Sequence, residues 1–130
     1  MLAQGQGAIV HVSSGAAQIA RPTSLPYSAA KAALNAYSKG LASELGPHGI
    51  RVNVVSPGFI STSRIDELAK EQNTDPDTLT AQIAASLQIP LARAGTAEEA
   101  AQLILFLVSP AASYVTGTQI KIDGGAFPVV

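Results

Sequence analysis

The sequence predicts an α/β fold built on a parallel sheet of about three strands. Three observations predict it. Short β-branched runs lie at 8–12, 50–55 and 119–123. Longer helix-forming stretches separate them, as parallel strands require. The composition is that of a packed domain, with 47% apolar and 13% charged residues.

The elements follow in order. Residues 8–12 (A-I-V-H-V) read as a buried strand, with Ser13 and Ser14 at its C-terminal end. Residues 24–45 read as a long alanine-rich helix, with Ser24 as N-cap, Pro26 in the first turn, and Gly46-Pro47 as the stop. Residues 50–55 (I-R-V-N-V-V) form the second strand and run into the turn Ser56-Pro57-Gly58. The polar stretch to about Gly95 holds two short helices, one near 64–71 and one starting around Asp75-Pro76. Thr96-Ala97-Glu98-Glu99 has the form of a capping box and opens an amphipathic helix to about Val108, stopped by Ser109-Pro110. Leu103 and Phe106 lie on its apolar face and are expected in the core. Residues 114–117 turn the chain into the third strand, which Gly124-Gly125 end. A doubly wound sheet usually has about twice as many strands.

Charge and composition exclude several function classes. The net charge is −1 and no basic cluster exists, which argues against nucleic-acid or membrane-surface binding. Cysteine is absent, so disulfides and thiolate chemistry are ruled out. No apolar run is long enough to span a membrane, and a cytoplasmic location is the default expectation.

The chemistry lies in Y-S-A-A-K. Tyr27 and Lys31 stand four apart, on one helix face. A phenol is a weak base at neutral pH, and a nearby ammonium favours its ionised form. Ser14, thirteen residues before Tyr27, could bond the same carbonyl or hydroxyl oxygen. A Tyr-Lys pair alone is a common surface pairing. The strand in front of it raises the reading, because ligands of open α/β sheets collect at the carboxyl ends of strands. Other candidates are weaker. His11 and His48 lack a G-x-S-x-G elbow and read as packing or solvated residues. Asp66, Glu67, Glu71, Asp75 and Asp77 match no metal-site spacing and read as caps and solvated faces. Arg93 suits either an anionic ligand or a structural ion pair.

Four landmarks together resemble the C-terminal half of the short-chain dehydrogenase/reductase family: G-A-I-V-H-V-S-S, Y-S-A-A-K, G-I-R-V-N-V-V-S-P-G followed by F-I-S-T, and T-G-T-Q-I-K-I-D-G-G. The resemblance covers nearly the whole chain. It implies the C-terminal part of a Rossmann-like doubly wound sheet, in one partial domain over 1–130. It implies hydride transfer between NAD or NADP and a secondary alcohol or ketone. Tyr27 would be the acid/base, and Lys31 would assist it and bind the nicotinamide ribose. Ser14, selected over Ser13 by the spacing, would hold the substrate oxygen. Pro57, Gly58, Ile60 and Thr62 would line the cofactor, and 61–91 would form a substrate lid. The helix 24–45 would contact a partner subunit in a homo-oligomer.

The family's glycine-rich T-G-x-x-x-G-x-G turn is not in this sequence; Gly5-Gln6-Gly7 precedes a strand and reads as a loop. Met1-Leu2-Ala3 resembles the end of the helix before the serine strand, so the expectation is a shortened member starting at an internal methionine. Two readings follow: an oxidoreductase, or an inactive fragment or association module with an open sheet edge.

Overall fold

The computed structural model describes residues 1–19 and 24–128. The strands β1 (Gly7–Val12), β2 (Ile50–Pro57) and β3 (Gln119–Ile122) form one parallel sheet, in the order β1-β2-β3. The register sets Ile9 opposite Val52 and His11 opposite Val54. On the other side of β2, Val55 lies opposite Ile120 and Pro57 opposite Ile122. The central strand is buried on both faces, with Val52 and Val55 fully covered. Its near-continuous apolar run is what a two-sided parallel strand requires. β1 stands at the sheet edge.

The helices are α1 (Leu25–Leu45), α2 (Ser63–Glu71), α3 (Pro76–Ser86) and α4 (Ala97–Val108). Helix α1 covers the face of β2 that carries Val52 and Val54. It is tied down by polar groups. Ser38 donates to the Leu34 carbonyl at 2.6 Å, so the 2.8 Å contact with His11 is a bond from Nδ1–H to the serine oxygen. Lys39 donates to the Gly117 carbonyl at 2.9 Å. His11 is thus a packing residue beside the Tyr37 ring, 6.1 Å away between centroids.

Helix α4 covers the opposite face through the fully buried Leu107. The Arg51 guanidinium donates to the carbonyls of Leu107 (2.6 Å) and Ser109 (3.1 Å) at the end of this helix. Lone carbonyls at a helix end favour such a cation. The capping box forms in both directions: Glu99 N–H donates to the Thr96 hydroxyl at 3.2 Å, and Thr96 N–H to the Glu99 carboxylate at 2.9 Å. Asp75 caps α3 through Thr78 N–H at 2.9 Å.

Two expectations are corrected. Phe106 is not in the core: it is 44% exposed, with Leu105 and Val108 exposed beside it. The last six residues of the helix, Leu103 to Val108, are all apolar, and the sheet can cover only the side that carries Leu107. Asp123 does not belong to the last strand, which ends at Ile122. Its carboxylate instead accepts from the backbone N–H groups of Gly125 and Phe127, both at 3.0 Å.

Candidate active site

The C-terminal ends of β1 and β2 open into a cleft of about 560 Å³. Ser14, Tyr27, Lys31, Pro57, Gly58 and Ile60 all line it. Thr62 stands beyond this lining, at the N-cap of α2. The far wall comes from α4, where Ala97, Ala100, Ala101 and Ile104 face the cleft. Small side chains there keep the space open, a contribution that no motif in the sequence announced.

Each side chain is positioned by a separate local cause. β1 delivers the serine pair. Ser13 is buried and its hydroxyl donates to the Lys31 carbonyl at 3.4 Å, which pins α1 to the strand end. Ser14 caps a short turn, its oxygen accepting from Ala16 N–H at 3.2 Å. Its proton therefore points elsewhere, as a donor would need. Lys31 does not rest at the Tyr27 hydroxyl. Its ammonium donates to the Val12 carbonyl at 2.9 Å and lies 5.7 Å from the centre of the Tyr27 ring. One of its three protons is so engaged. Tyr27 is half exposed on the cleft side of α1.

Gly58 owes its lack of a side chain to packing. A Cβ at this position would lie 2.6 Å from the Asp123 Cβ and 2.8 Å from its Cα. Gly58 N–H also donates to the Ile122 carbonyl at 3.0 Å, extending the β2–β3 ladder to the cleft rim.

The remaining sequence candidates lie outside the cleft. Arg93 forms the structural ion pair, with its two nitrogens 2.9 and 2.6 Å from the Glu99 carboxylate. That bond and the Thr96 N–H hold the Glu99 carboxyl well below the usual range, at about 2. Arg64 pairs with Glu67 and Glu71. Among the described residues no group of acidic and histidine side chains could hold a metal ion, and no helix is long and apolar enough to cross a membrane. His48 sits in a short turn between α1 and β2.

A family model described as enoyl-(acyl carrier protein) reductase matches residues 1–126. The chain belongs to the short-chain dehydrogenase/reductase family. Short-chain reductase protein NovJ of Streptomyces niveus is 39% identical, the match covering 96% of this chain and 47% of that one. The 3-oxoacyl-(acyl-carrier-protein) reductase FabG of Thermotoga maritima is 43% identical over the same shares. Among solved structures, an NADPH-bound short chain oxidoreductase from Pseudomonas aeruginosa superposes with a TM-score of 0.87 at 36% identity, over 95% of this chain and 47% of that one. L-sorbose reductase from Gluconobacter frateurii, complexed with NADPH and L-sorbose, gives 0.86 at 34% identity, over 100% of this chain and 51% of that one. The chain spans about half the length of the curated family relatives it matches. Its three parallel strands and flanking helices are the Rossmann-type arrangement of these family members.

Proposed function

We propose that the cleft is the proton-transfer site of an NAD(P)-dependent oxidoreductase that interconverts a secondary alcohol and a ketone. One observation carries this reading: Ser14, Tyr27 and Lys31 meet Pro57, Gly58 and Ile60 in a single cleft at the carboxyl end of a parallel sheet. The cleft falls within the ~300–1,000 Å³ usual for small-molecule sites.

The residues fit the nicotinamide end of the cofactor. Lys31 has donors beyond the one given to Val12, suited to ribose hydroxyls. Pro57, Gly58 and Ile60 offer an uncharged wall for a flat ring, and Thr62 is assigned to the rim. When bound, the nicotinamide supplies or accepts the hydride. Ser14 donates to the substrate oxygen and fixes its position. The Tyr27 hydroxyl gives that oxygen a proton during reduction and takes it back during oxidation. The Lys31 charge favours the phenolate that remains. Residues 61–91, which include α2 and α3, are assigned to a substrate lid. The exposed alanine-rich face of α1 is assigned to contact with a second copy, and the setting is taken to be the cytoplasm.

A second reading has its own observation. β1 is an edge strand, and unpaired strand edges promote association. Under that reading the chain is an association module that binds no nucleotide. Calorimetric titration with NADH and NADPH separates the two. Saturable micromolar binding supports the oxidoreductase, whereas no heat with either nucleotide overturns it in favour of the association module.

A further inference from the structure

We propose that a second pocket beside Ser14 is a subsite for an apolar arm of the substrate, so that the ketone this chain takes carries a hydrocarbon group, not a polyhydroxylated one. The proposal rests on the oxidoreductase reading of the main cleft. Four large apolar side chains, Ile19, Phe59, Leu87 and Phe127, wall the pocket together with Ala16 and Pro57. The four large ones come from four separate parts of the chain. Ser14 and Gly58 line both this pocket and the main cleft. A carbonyl oxygen held at Ser14 therefore leaves one arm of its molecule facing these walls.

The pocket measures about 220 Å³. An apolar cavity of ~150 Å³ holds a benzene ring. The arm is thus about one ring or a short alkyl chain. The described lining holds no charged side chain, and its side-chain hydroxyls belong to Ser14 and Ser24. Ser14 is taken by the reacting oxygen, and Ser24 stands 3.4 Å from the Ser28 hydroxyl. A polyol arm would lose its hydration against walls that offer few partners.

Phe127 is built into place. The Asp123 carboxylate accepts its backbone N–H at 3.0 Å, which closes the turn after β3. Its ring lies against Gly15, where a built Cβ would overlap the ring edge at Cε2 and Cζ. Glycine next to Ser14 lets an aromatic wall stand beside the reacting oxygen. Phe127 is accordingly the residue assigned to substrate selection.

The test uses the full chain and two ketones, acetophenone and dihydroxyacetone, titrated by NMR with labelled phenylalanine and leucine. Acetophenone is expected to bind and to move the Phe127 and Leu87 signals, with dihydroxyacetone at least about tenfold weaker. Phe127→Ala should weaken acetophenone about tenfold, and Phe127→Leu, which keeps an apolar wall, less than about threefold. Circular dichroism checks that both variants fold. Gly15→Ala, which displaces the ring without altering it, should reproduce the Phe127→Ala loss. The proposal is overturned if dihydroxyacetone binds as well as acetophenone, if acetophenone does not bind, or if Phe127→Ala and Gly15→Ala both leave its affinity unchanged. A parallel NADPH titration keeps the two ideas apart. Nucleotide binding without acetophenone binding sinks the subsite alone; acetophenone binding without nucleotide binding sinks the oxidoreductase reading alone.

Discussion

Substituting alanine for two different glycines should move stability in opposite directions. At Gly58 the added Cβ would lie 2.6 Å from the Asp123 Cβ and 2.8 Å from its Cα, two atoms whose places the backbone sets, where ordinary contact begins at 3.4 Å. Backbone cannot rotate aside as a side chain can. The ends of β2 and β3 would have to part, and the Gly58–Ile122 hydrogen bond holds them together. Overpacking costs ~1–3 kcal/mol and a strained bond about one more, so Gly58→Ala should destabilise by ~2–4 kcal/mol. At Gly40, inside α1, a built Cβ meets nothing within 4 Å. There alanine should stabilise by ~0.5–1 kcal/mol, through helix propensity and lower unfolded-state entropy. Urea unfolding of both variants measures the pair, with an unchanged m-value as the check on the denatured state. A Gly58→Ala protein within ~1 kcal/mol of the parent would refute the packing argument. A Gly40→Ala protein less stable than the parent would refute the open exterior of α1.

Tyr27→Phe should lower any alcohol–ketone turnover by ~10²–10⁴-fold while leaving stability within ~0.5 kcal/mol, since the ring is half exposed; retained turnover refutes the acid/base assignment. Leu107→Ala should cost ~2–5 kcal/mol in chemical denaturation, because the residue is fully buried between α4 and the sheet; a smaller loss would mean the sheet collapses onto the vacancy. Glu99, held at about 2, titrates below its ordinary carboxyl range, so its cap and ion pair stabilise fully above about pH 4.5 and weaken as pH falls through 2. Carboxyl-carbon NMR should find that low midpoint, and Arg93→Ala should raise it; a midpoint near 4 in the parent would contradict the bidentate pair.

Elements that depend on neighbouring residues were legible in the sequence. β-branched runs placed all three strands, and Thr96 with Glu99 announced the start of α4 through a reciprocal cap that needs only four residues. The grouping of Ser14, Tyr27 and Lys31 was legible too, because one strand end and one helix turn position all three. Contacts across long loops were not. Gly58 against Asp123, and Gly15 against Phe127, join residues separated by half the chain or more. Glycine states only that something approaches, not what. Lys31 resting on the Val12 carbonyl was invisible for the same reason: helix spacing names a neighbour, but the strand end competes for the charge. Phe106 misled because the unbroken apolar run at the end of α4 does not reveal which side a sheet will cover.

The Arg51 clamp has a consequence for how the cleft keeps its width. The same α4 whose first turns form the far wall of the cleft is held at its last turn by a guanidinium from the start of β2. β2 also supplies the near wall, at Pro57, with Gly58 directly after it. One strand thus grips one helix at the bottom and faces it across a gap at the top, in the manner of a hinge and its jaw. The width of the cleft is thus tied to the far end of the sheet, through a residue that does not line it.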